Sequence, residues 1–207
     1  MSRSTTSHVA LCAGILLAIT VPLTGCSGES DPTVVETPEI EWQDGPPADE
    51  GRFVDAARAA DLGFAIAYNA HDFTVAQLTD SMSREMTILY YEAFEPAHLF
   101  AIPGPSPATV ISVTENATGA EVILCEFSVG WAVSADDPEP RLDLTAGTET
   151  TYTVVTAESG DLIVDHVQPS GLACDATGAA VGYFEPAPTI PQKLTKSDVR
   201  APLGYED

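Results

Sequence analysis

The chain has 207 residues and a formal net charge of −23 at pH 7, from 31 acidic residues against eight Lys and Arg. A surface this negative repels phosphate backbones and anionic headgroups, which argues against nucleic acid as a partner. The hydrophobic fraction of 44% excludes a wholly disordered chain, and the length suits one domain with flanking tails.

The first residues have the pattern of a secretory leader. Arg3 and the amino terminus are basic, residues 9–21 form an apolar run, and Pro22 breaks it. This run is shorter than the roughly 20 residues that a membrane span needs. Since the sequence has no polybasic patch and no second apolar span, membrane attachment would have to come from a lipid.

The sequence Leu-Thr-Gly-Cys at residues 23–26 follows this run. It resembles the lipobox of bacterial lipoproteins, in which the cysteine sulfur takes a lipid before the leader is cut off. The resemblance implies a lipoprotein signal peptide over residues 1–25 and lipidation of Cys26. It also implies that the protein is held at the cell membrane on the extracytoplasmic side. The alternative is an ordinary secretory leader with a chance cysteine.

Two cysteines remain once this leader and its lipid are set aside. Cys12 lies in the leader and Cys26 would carry the lipid, so Cys125 and Cys174 are the pair left in an oxidising compartment. We predict a structural disulfide between them, which would stabilise the fold by about 4 kcal/mol in the chain-entropy model. A redox-active pair is the rival interpretation, but the two cysteines lack CxxC spacing.

Residues 26–50 are predicted to be an acidic, disordered tether. Residues 27–50 hold eight acids, four prolines and no basic residue, a composition that cannot bury a core. As a flexible coil this segment would span about 27 Å on average. Trp42 is its one large apolar residue, either docked on the domain or without a partner.

Three helices are predicted at the start of a domain over residues 51–182. A stripe at steps of three and four predicts a first helix from Arg52 that ends at residues 69–72. Thr74 and Gln77 have capping-box spacing for a short second helix. A third helix is expected from residue 84 to about residue 95, before Pro96. The stripe of the first helix consists of Phe53, Ala56, Ala57, Ala60, Phe64, Ala67 and Tyr68.

After a proline-rich loop the apolar period becomes two, which predicts strands. The predicted strands cover residues 109–114, 121–133, 142–156 and 162–167, with a turn at residues 116–119. Helices followed by antiparallel strands indicate an α+β layer fold. One face of the second predicted strand carries Ile123, Cys125, Phe127, Val129 and Trp131.

The helix end Tyr-Asn-Ala-His-Asp at residues 68–72, two further helical segments and a meander of strands are similar to the NTF2-like superfamily (SnoaL-type, cystatin-like cone). Versions of it occur in envelope lipoproteins of high-GC Gram-positive bacteria. The resemblance covers residues 52–170. It implies a curved antiparallel sheet wrapped around the first helix, with a conical cavity between them.

The catalytic pattern of ketosteroid-isomerase-like relatives is not matched by this chain. Those relatives carry a tyrosine late in the first helix and a general-base aspartate after the second. A count without gaps places Phe64 and Ile88 there, and neither side chain can move a proton. A gap would bring in Glu85 or Tyr90. We therefore predict no catalytic residue.

No cofactor or metal site is predicted either. The histidines at positions 71, 98 and 166 have no partner at metal-ligand spacing. Asp165 and His166 are adjacent on a predicted strand, so they point to opposite faces of the sheet and cannot act as an acid–base pair.

Five aromatic residues are candidates for a ligand pocket or, alternatively, for the core: Phe64, Tyr68, Tyr90, Phe127 and Trp131. The first candidate function is binding of a small apolar ligand in the cavity. The second is an interaction subunit of a membrane complex, with the cavity filled by side chains. An isomerase or dehydratase is less favoured than either.

The last segment, residues 183–207, is predicted to be a proline-rich, extended tail. It contains Lys193, Lys196 and Arg200, in a chain that is otherwise strongly acidic. The tail would either lie on its own acidic domain or engage another envelope protein.

Overall fold

The computed structural model of the chain describes residues 34–96, 99–128 and 130–205. The predicted signal peptide and lipobox, Cys26 included, lie outside these residues. So do the first part of the predicted tether, His98 and Val129. No helix within the described ranges combines the length and the apolar character that crossing a membrane requires.

The described residues form three α-helices followed mainly by antiparallel strands, so the α+β class is confirmed. The helices are α1 (Arg52–Ala70), α2 (Ala76–Thr79) and α3 (Arg84–Ala93). The strands are β1 (Glu39–Trp42), β2 (Phe100–Ala101), β3 (Ala108–Glu115), β4 (Gly119–Glu126), β5 (Val133–Ser134), β6 (Gly147–Thr156), β7 (Leu162–Cys174) and β8 (Gly182–Glu185).

A four-stranded antiparallel sheet in the order β3-β4-β6-β7 carries the core. Val113, Val122, Tyr152 and Val167 lie opposite one another across the four strands. Side chains alternate between the faces of a strand, so residues two positions away share this inner face. The helix α1 packs against it, with a buried set of Phe53, Val54, Ala57, Ala60, Gly63, Ala65, Ile66, Ala67 and Tyr68.

The helix α1 also packs closely against α2, and Gly63 permits this contact. A Cβ atom at position 63 would lie 2.3 Å from the carbonyl oxygen of Gln77. At its end the helix closes with His71 in the left-handed conformation, at φ 53°. The predicted end of the first helix at residues 69–72 is confirmed.

The predicted capping box at the start of α2 is wrong. Val75 precedes the helix and makes no side-chain cap. The Thr74 hydroxyl and backbone N–H instead donate to Oδ1 of Asp72, at 2.6 and 2.8 Å. The two bonds to Asp72 hold Thr74 in a local turn that precedes the helix. The α3 helix begins as predicted, with Ser83 accepting a bond from the Met86 N–H.

The strand predicted over residues 121–133 is too long, because β4 ends at Glu126. Beyond it the Phe127 N–H donates to the Pro107 carbonyl at 2.8 Å. The Trp131 indole N–H donates to the Gly104 carbonyl at 2.9 Å. These bonds tie the chain to the loop before β3. The alternation of apolar residues therefore continues beyond Glu126, although the strand-to-strand hydrogen bonds end there.

The two later predicted strands also have different bounds. A 3-10 turn at Leu144–Ala146 replaces the start of the third predicted strand, and β6 begins at Gly147. The fourth continues as β7 to Cys174. It includes a register shift next to Asp165, since Thr153 pairs with His166 and Val154 with Val164.

The expectation of a coil throughout residues 26–50 is wrong for Glu39–Trp42. These residues form β1, which pairs antiparallel with β8 from the C-terminal side of the chain. Ile40 lies opposite Phe184, and Phe184 is buried in the core. The predicted domain over residues 51–182 therefore omits a structural β-ribbon made from both flanking segments.

The C-terminal segment lies on its own domain. The Lys196 ammonium donates to the Tyr91 and Phe94 carbonyls and lies 3.7 Å from the Tyr91 ring centroid. Arg200 lies 3.6 Å from the Asp72 carboxylate, and Val199 is buried. These contacts agree with the first of the two alternatives for the tail.

The predicted disulfide between Cys125 and Cys174 is confirmed, with the two Cα atoms 5.8 Å apart. It joins β4 to β7 across the first residue of β6, Gly147. A Cβ atom at that position would lie 2.6 Å from the Cys125 sulfur. Glycine is therefore needed for the disulfide to cross over β6.

Candidate ligand-binding site

A cavity of about 500 Å³ lies between α1, α3 and one end of the inner face of the sheet. We call it the main cavity. Aromatic side chains form much of its wall, and two carboxylic acids border it, Asp61 and Glu126. Ala132 lines the main cavity and is exposed, which places it at the mouth. The aromatic wall consists of Phe64, Tyr90, Phe100, Trp131 and Tyr152.

The five aromatic residues predicted for a pocket divide between the main cavity and the core. Phe64, Tyr90 and Trp131 line the cavity. Tyr68 stacks on Phe100 with ring centroids 4.5 Å apart, and Phe127 is 2% exposed in the core. Tyr68 and Phe127 do not line the main cavity and pack in the core, which agrees with the alternative stated for the aromatic residues.

The wall formed by α1 and α3 is a pair of rings. Phe64 and Tyr90 have ring centroids 4.4 Å apart, with their planes inclined by 33°. A gap in the comparison with the catalytic relatives would bring in Glu85 or Tyr90. Tyr90 lines the main cavity, and Glu85 does not. Glu85 is exposed on α3 and borders an open groove near Asp161.

Glu126, the last residue of β4, brings a carboxyl group to the inner face and is only 7% exposed. Its Oε1 accepts a hydrogen bond from the Tyr152 hydroxyl at 2.5 Å. The Thr150 side chain also hydrogen-bonds to this carboxyl group. Since Thr150 and Tyr152 lie on β6, the neighbouring strand holds Glu126 in place.

Asp61 brings the second carboxyl group from the middle of α1. Its Oδ2 accepts the Ser106 backbone N–H at 2.7 Å, and its Oδ1 accepts the Ser106 hydroxyl at 2.9 Å. This pair of bonds fastens the proline-rich loop to α1. It also fixes the Asp61 side chain at the edge of the main cavity.

The acid and phenol groups of the main cavity have perturbed proton affinities. The pKa of Glu126 is raised to about 7, chiefly by burial and also by the charge of the neighbouring Asp61, while the Tyr152 and Thr150 hydrogen bonds act in the opposite direction. Burial also raises the pKa of Asp61, against the two bonds from Ser106. The pKa values of Tyr90 and Tyr152 are raised chiefly by burial. Burial and the mutual repulsion of the two carboxylates therefore both favour the protonated forms of these acids.

A smaller cavity of about 240 Å³ lies on the other side of these acids. We call it the second cavity. Its wall includes Ile40 and Trp42 of β1, so the segment predicted to be a tether forms part of it. Asp61, Ser106 and Glu126 line both cavities. The carboxyl groups are therefore placed where a ligand in either cavity can reach them.

The other polar residues considered from the sequence lie away from the main cavity. His71 ends α1, and burial lowers its pKa against the opposing charge of Asp198. His166 lies opposite Thr153, on the outer face. Among the residues that the structure describes, no group of three or more His, Cys, Asp or Glu side chains is arranged to hold a metal ion.

The sequence contains a signal for both acids, although sequence reasoning missed them. Asp61 is four residues after Ala57 and three before Phe64, which places it on the apolar stripe of α1. Glu126 is two residues after the buried Leu124, which places its side chain on the same inner face of β4. A charged residue in the apolar phase of a helix or strand is a candidate site residue.

No protein-family model, no curated protein and no solved structure significantly matches this chain.

Proposed function

We propose that the protein is a lipid-anchored cell-envelope lipoprotein whose domain binds a small ligand with an apolar body, without catalysis. The observation that carries this proposal is the main cavity of about 500 Å³ with its aromatic wall. Ligand sites are typically concave and mostly apolar, with a few converging polar groups. Here the converging groups are Asp61, Glu126 and Tyr152.

The finer fold assignment, an NTF2-like cone, is part of this proposal. The packing of α1 on the inner face of an antiparallel sheet supports it. A cavity at one end of that helix–sheet interface supports it as well. Since folds host many functions, the cone alone would not identify a ligand.

The proposed location rests on the lipobox at residues 23–26 and on the disulfide. Disulfides persist in oxidising compartments outside the cytoplasm, which agrees with an extracytoplasmic domain. The lipid on Cys26 would be the membrane anchor. Replacing Cys26 by Ala should release the protein from membranes or leave its leader uncut, whereas a variant that has lost its leader and is still fully retained on membranes at high salt would contradict the anchor.

An isomerase or dehydratase is the second candidate, and one observation favours it. Tyr90 and Glu126 line the same cavity, and a carboxyl group with a pKa near 7 suits general acid–base catalysis at neutral pH. Against it, Glu126 is bonded to Tyr152 and Asp61 to Ser106. Ile88 does not line the main cavity, and Phe64 supplies only an apolar wall.

The alternative of an interaction subunit with a filled cavity is less well supported. The main cavity is not occupied by side chains, and it reaches the surface near the exposed Ala132. A docking role for the basic tail is also less well supported, because Lys196 and Arg200 contact residues of this same domain.

A fluorescence titration with the neutral apolar dye N-phenyl-1-naphthylamine tests the binding proposal. The wild-type protein should bind the dye, and Ala132→Trp at the mouth should reduce binding by about tenfold or more through steric block. Ala117→Trp is the matched control, because Ala117 is exposed in the turn between β3 and β4. Equal binding by both variants, or none by the wild type, would contradict the proposal.

A further inference from the structure

We infer that the ligand of the main cavity is a small organic amine, bound as its cation between the aromatic wall and the carboxyl groups of Glu126 and Asp61. This inference rests on the proposed ligand-binding function and specifies the chemistry of the ligand. It requires an apolar body for the ring-lined space and an ammonium group for the acids.

The two carboxyl groups favour a ligand with a positive charge. Glu126 is 7% exposed, and its described partners are the uncharged hydroxyls of Tyr152 and Thr150. Asp61 is held by the backbone and hydroxyl of Ser106. Among the described lining residues of the main cavity there is no Lys, Arg or His. A buried negative charge needs a positive partner, and a ligand can supply one.

The titratable groups around Glu126 come from several elements. Asp61 faces it from α1, Tyr90 from α3 and Tyr152 from β6. Arg58 borders the second cavity, but its guanidinium is bonded to the Ala48 carbonyl and the Glu50 carboxylate. The surroundings of Glu126 within the main cavity are therefore acidic or neutral.

The aromatic wall also favours an organic cation. Faces of Tyr, Trp and Phe rings attract organic cations, and a cage of rings beside a carboxylate is a common way to bind an ammonium group. Phe64, Tyr90 and Tyr152 contribute rings from three different elements. These rings form an apolar surface for the body of the ligand, next to acids that favour its positive charge.

The same groups disfavour other charged ligands. A fatty acid or a phosphate-bearing lipid headgroup would bring a negative charge next to Asp61 and Glu126, which repel it. A neutral ligand could bond to the hydroxyl groups of the lining and would not need the charge of the acids. The amine therefore predicts a dependence of affinity on pH that a neutral ligand does not share.

Isothermal titration with n-hexylamine and n-hexanol separates these cases, because the two probes share a chain and differ in the charged group. The full mature protein at pH 7.5 should bind the amine about tenfold more tightly than the alcohol or better. Glu126→Gln should remove most of this preference, and a near-ultraviolet circular dichroism spectrum equal to that of the wild type shows that the variant is folded. Glu121→Gln, on the outer face of the same strand, is the matched control and should keep the preference.

Acidification supplies an independent readout. Amine affinity should fall as the pH is lowered from 8 to 6, since protonation of the acids removes their charge, while alcohol affinity should stay level. If the alcohol binds as well as the amine, or if Glu126→Gln keeps the amine preference, the inference is wrong and the binding proposal stands. If neither probe nor the neutral dye binds, the proposed function itself falls.

Discussion

The two ends of the inner sheet face differ in what they bury. At the end near the β3–β4 turn, which we call the closed end, the inner face is packed with small aliphatic side chains: Ala120, Val154 and Val164, each 0% exposed. At the opposite, open end the same face carries Glu126, Thr150 and Tyr152 next to the main cavity. The closed end is therefore filled by packed side chains, whereas at the open end polar side chains border the main cavity.

Backbone pairing explains how the closed end is sealed. The Ser83 N–H donates to the Val164 carbonyl, and the Val164 N–H donates to the Ser81 carbonyl, both at 2.8 Å. This places the segment between α2 and α3 alongside the edge of β7 near the start of that strand, and Leu78 in α2 is fully buried. At the open end β4 stops at Glu126, and the chain leaves the sheet before β5. The difference suggests that stability and binding are separable along one sheet.

The largest effect is expected from Leu78→Ala at the closed end. Leu78 is 0% exposed, and its truncation in a packed core should lower the free energy of unfolding by about 2–5 kcal/mol. Urea unfolding followed by fluorescence measures this change. Dye affinity of the folded fraction should remain close to that of the wild type. A parallel loss of affinity would show that the two ends are not separable.

Removal of the disulfide should have the next largest effect. The double variant Cys125→Ser, Cys174→Ser should lose about 2–4 kcal/mol of stability, because the unfolded chain regains the freedom of a long loop. Unfolding under non-reducing conditions, with the reduced wild type as comparison, measures it. A stability equal to that of the oxidised wild type would show that the link across β6 contributes nothing.

Stability at the open end should depend on pH through Glu126. Its pKa is raised from 4.5 in the reference state to about 7 in the fold, so the folded protein binds a proton that the unfolded chain has lost. Stability should therefore fall as the pH rises from 4.5 to about 7, by up to about 1.4 kcal/mol per unit of pKa difference. Glu126→Gln should flatten this fall.

Urea midpoints measured across this pH range, with Glu121→Gln as control, test the assignment. Glu121 is exposed on the same strand, and its replacement should leave the slope unchanged. A slope that survives Glu126→Gln would assign the proton to another group, such as Asp61, whose pKa is also raised by burial.

The smallest effect is expected from Lys196→Met in the C-terminal segment. This change removes the ammonium group from the Tyr91 ring and from the Phe94 carbonyl, which should cost about 1 kcal/mol. The contacts lie on α3 and at its end, away from the main cavity, so dye affinity should not change. A loss of binding would connect the tail to the ligand site.

The helices and the disulfide were predictable because local patterns specify them. The stripe from Phe53 to Tyr68 gives α1 its buried face. Cys125 and Cys174 are the one pair left once the predicted leader and the predicted lipid carrier, Cys26, are set aside. The β1–β8 ribbon was missed because Ile40 and Trp42 alternate with acids over only four residues, in a segment whose composition indicates disorder. Such a strand is stabilised by its distant partner rather than by its own sequence.

The site was predictable in part. Phe64, Tyr90 and Trp131 follow from their aromatic character and their place in helix and strand patterns. The acids were overlooked because charged residues are normally expected to be exposed to solvent. Asp61 nevertheless lies on the apolar stripe of α1, and Glu126 lies on the inner face of β4. That Glu126 would meet Tyr152, which is 26 residues away in the chain, depends on strand register and on where β4 ends.

Native mass spectrometry of the mature protein after incubation with an extract of envelope small molecules tests the central claim most directly. The account predicts a one-to-one complex with a small molecule in the wild type and in Ala117→Trp, and loss of this complex in Ala132→Trp. A wild-type protein that remains unliganded at every extract concentration, or a complex equally abundant in Ala132→Trp, would contradict the claim that the main cavity is a ligand site.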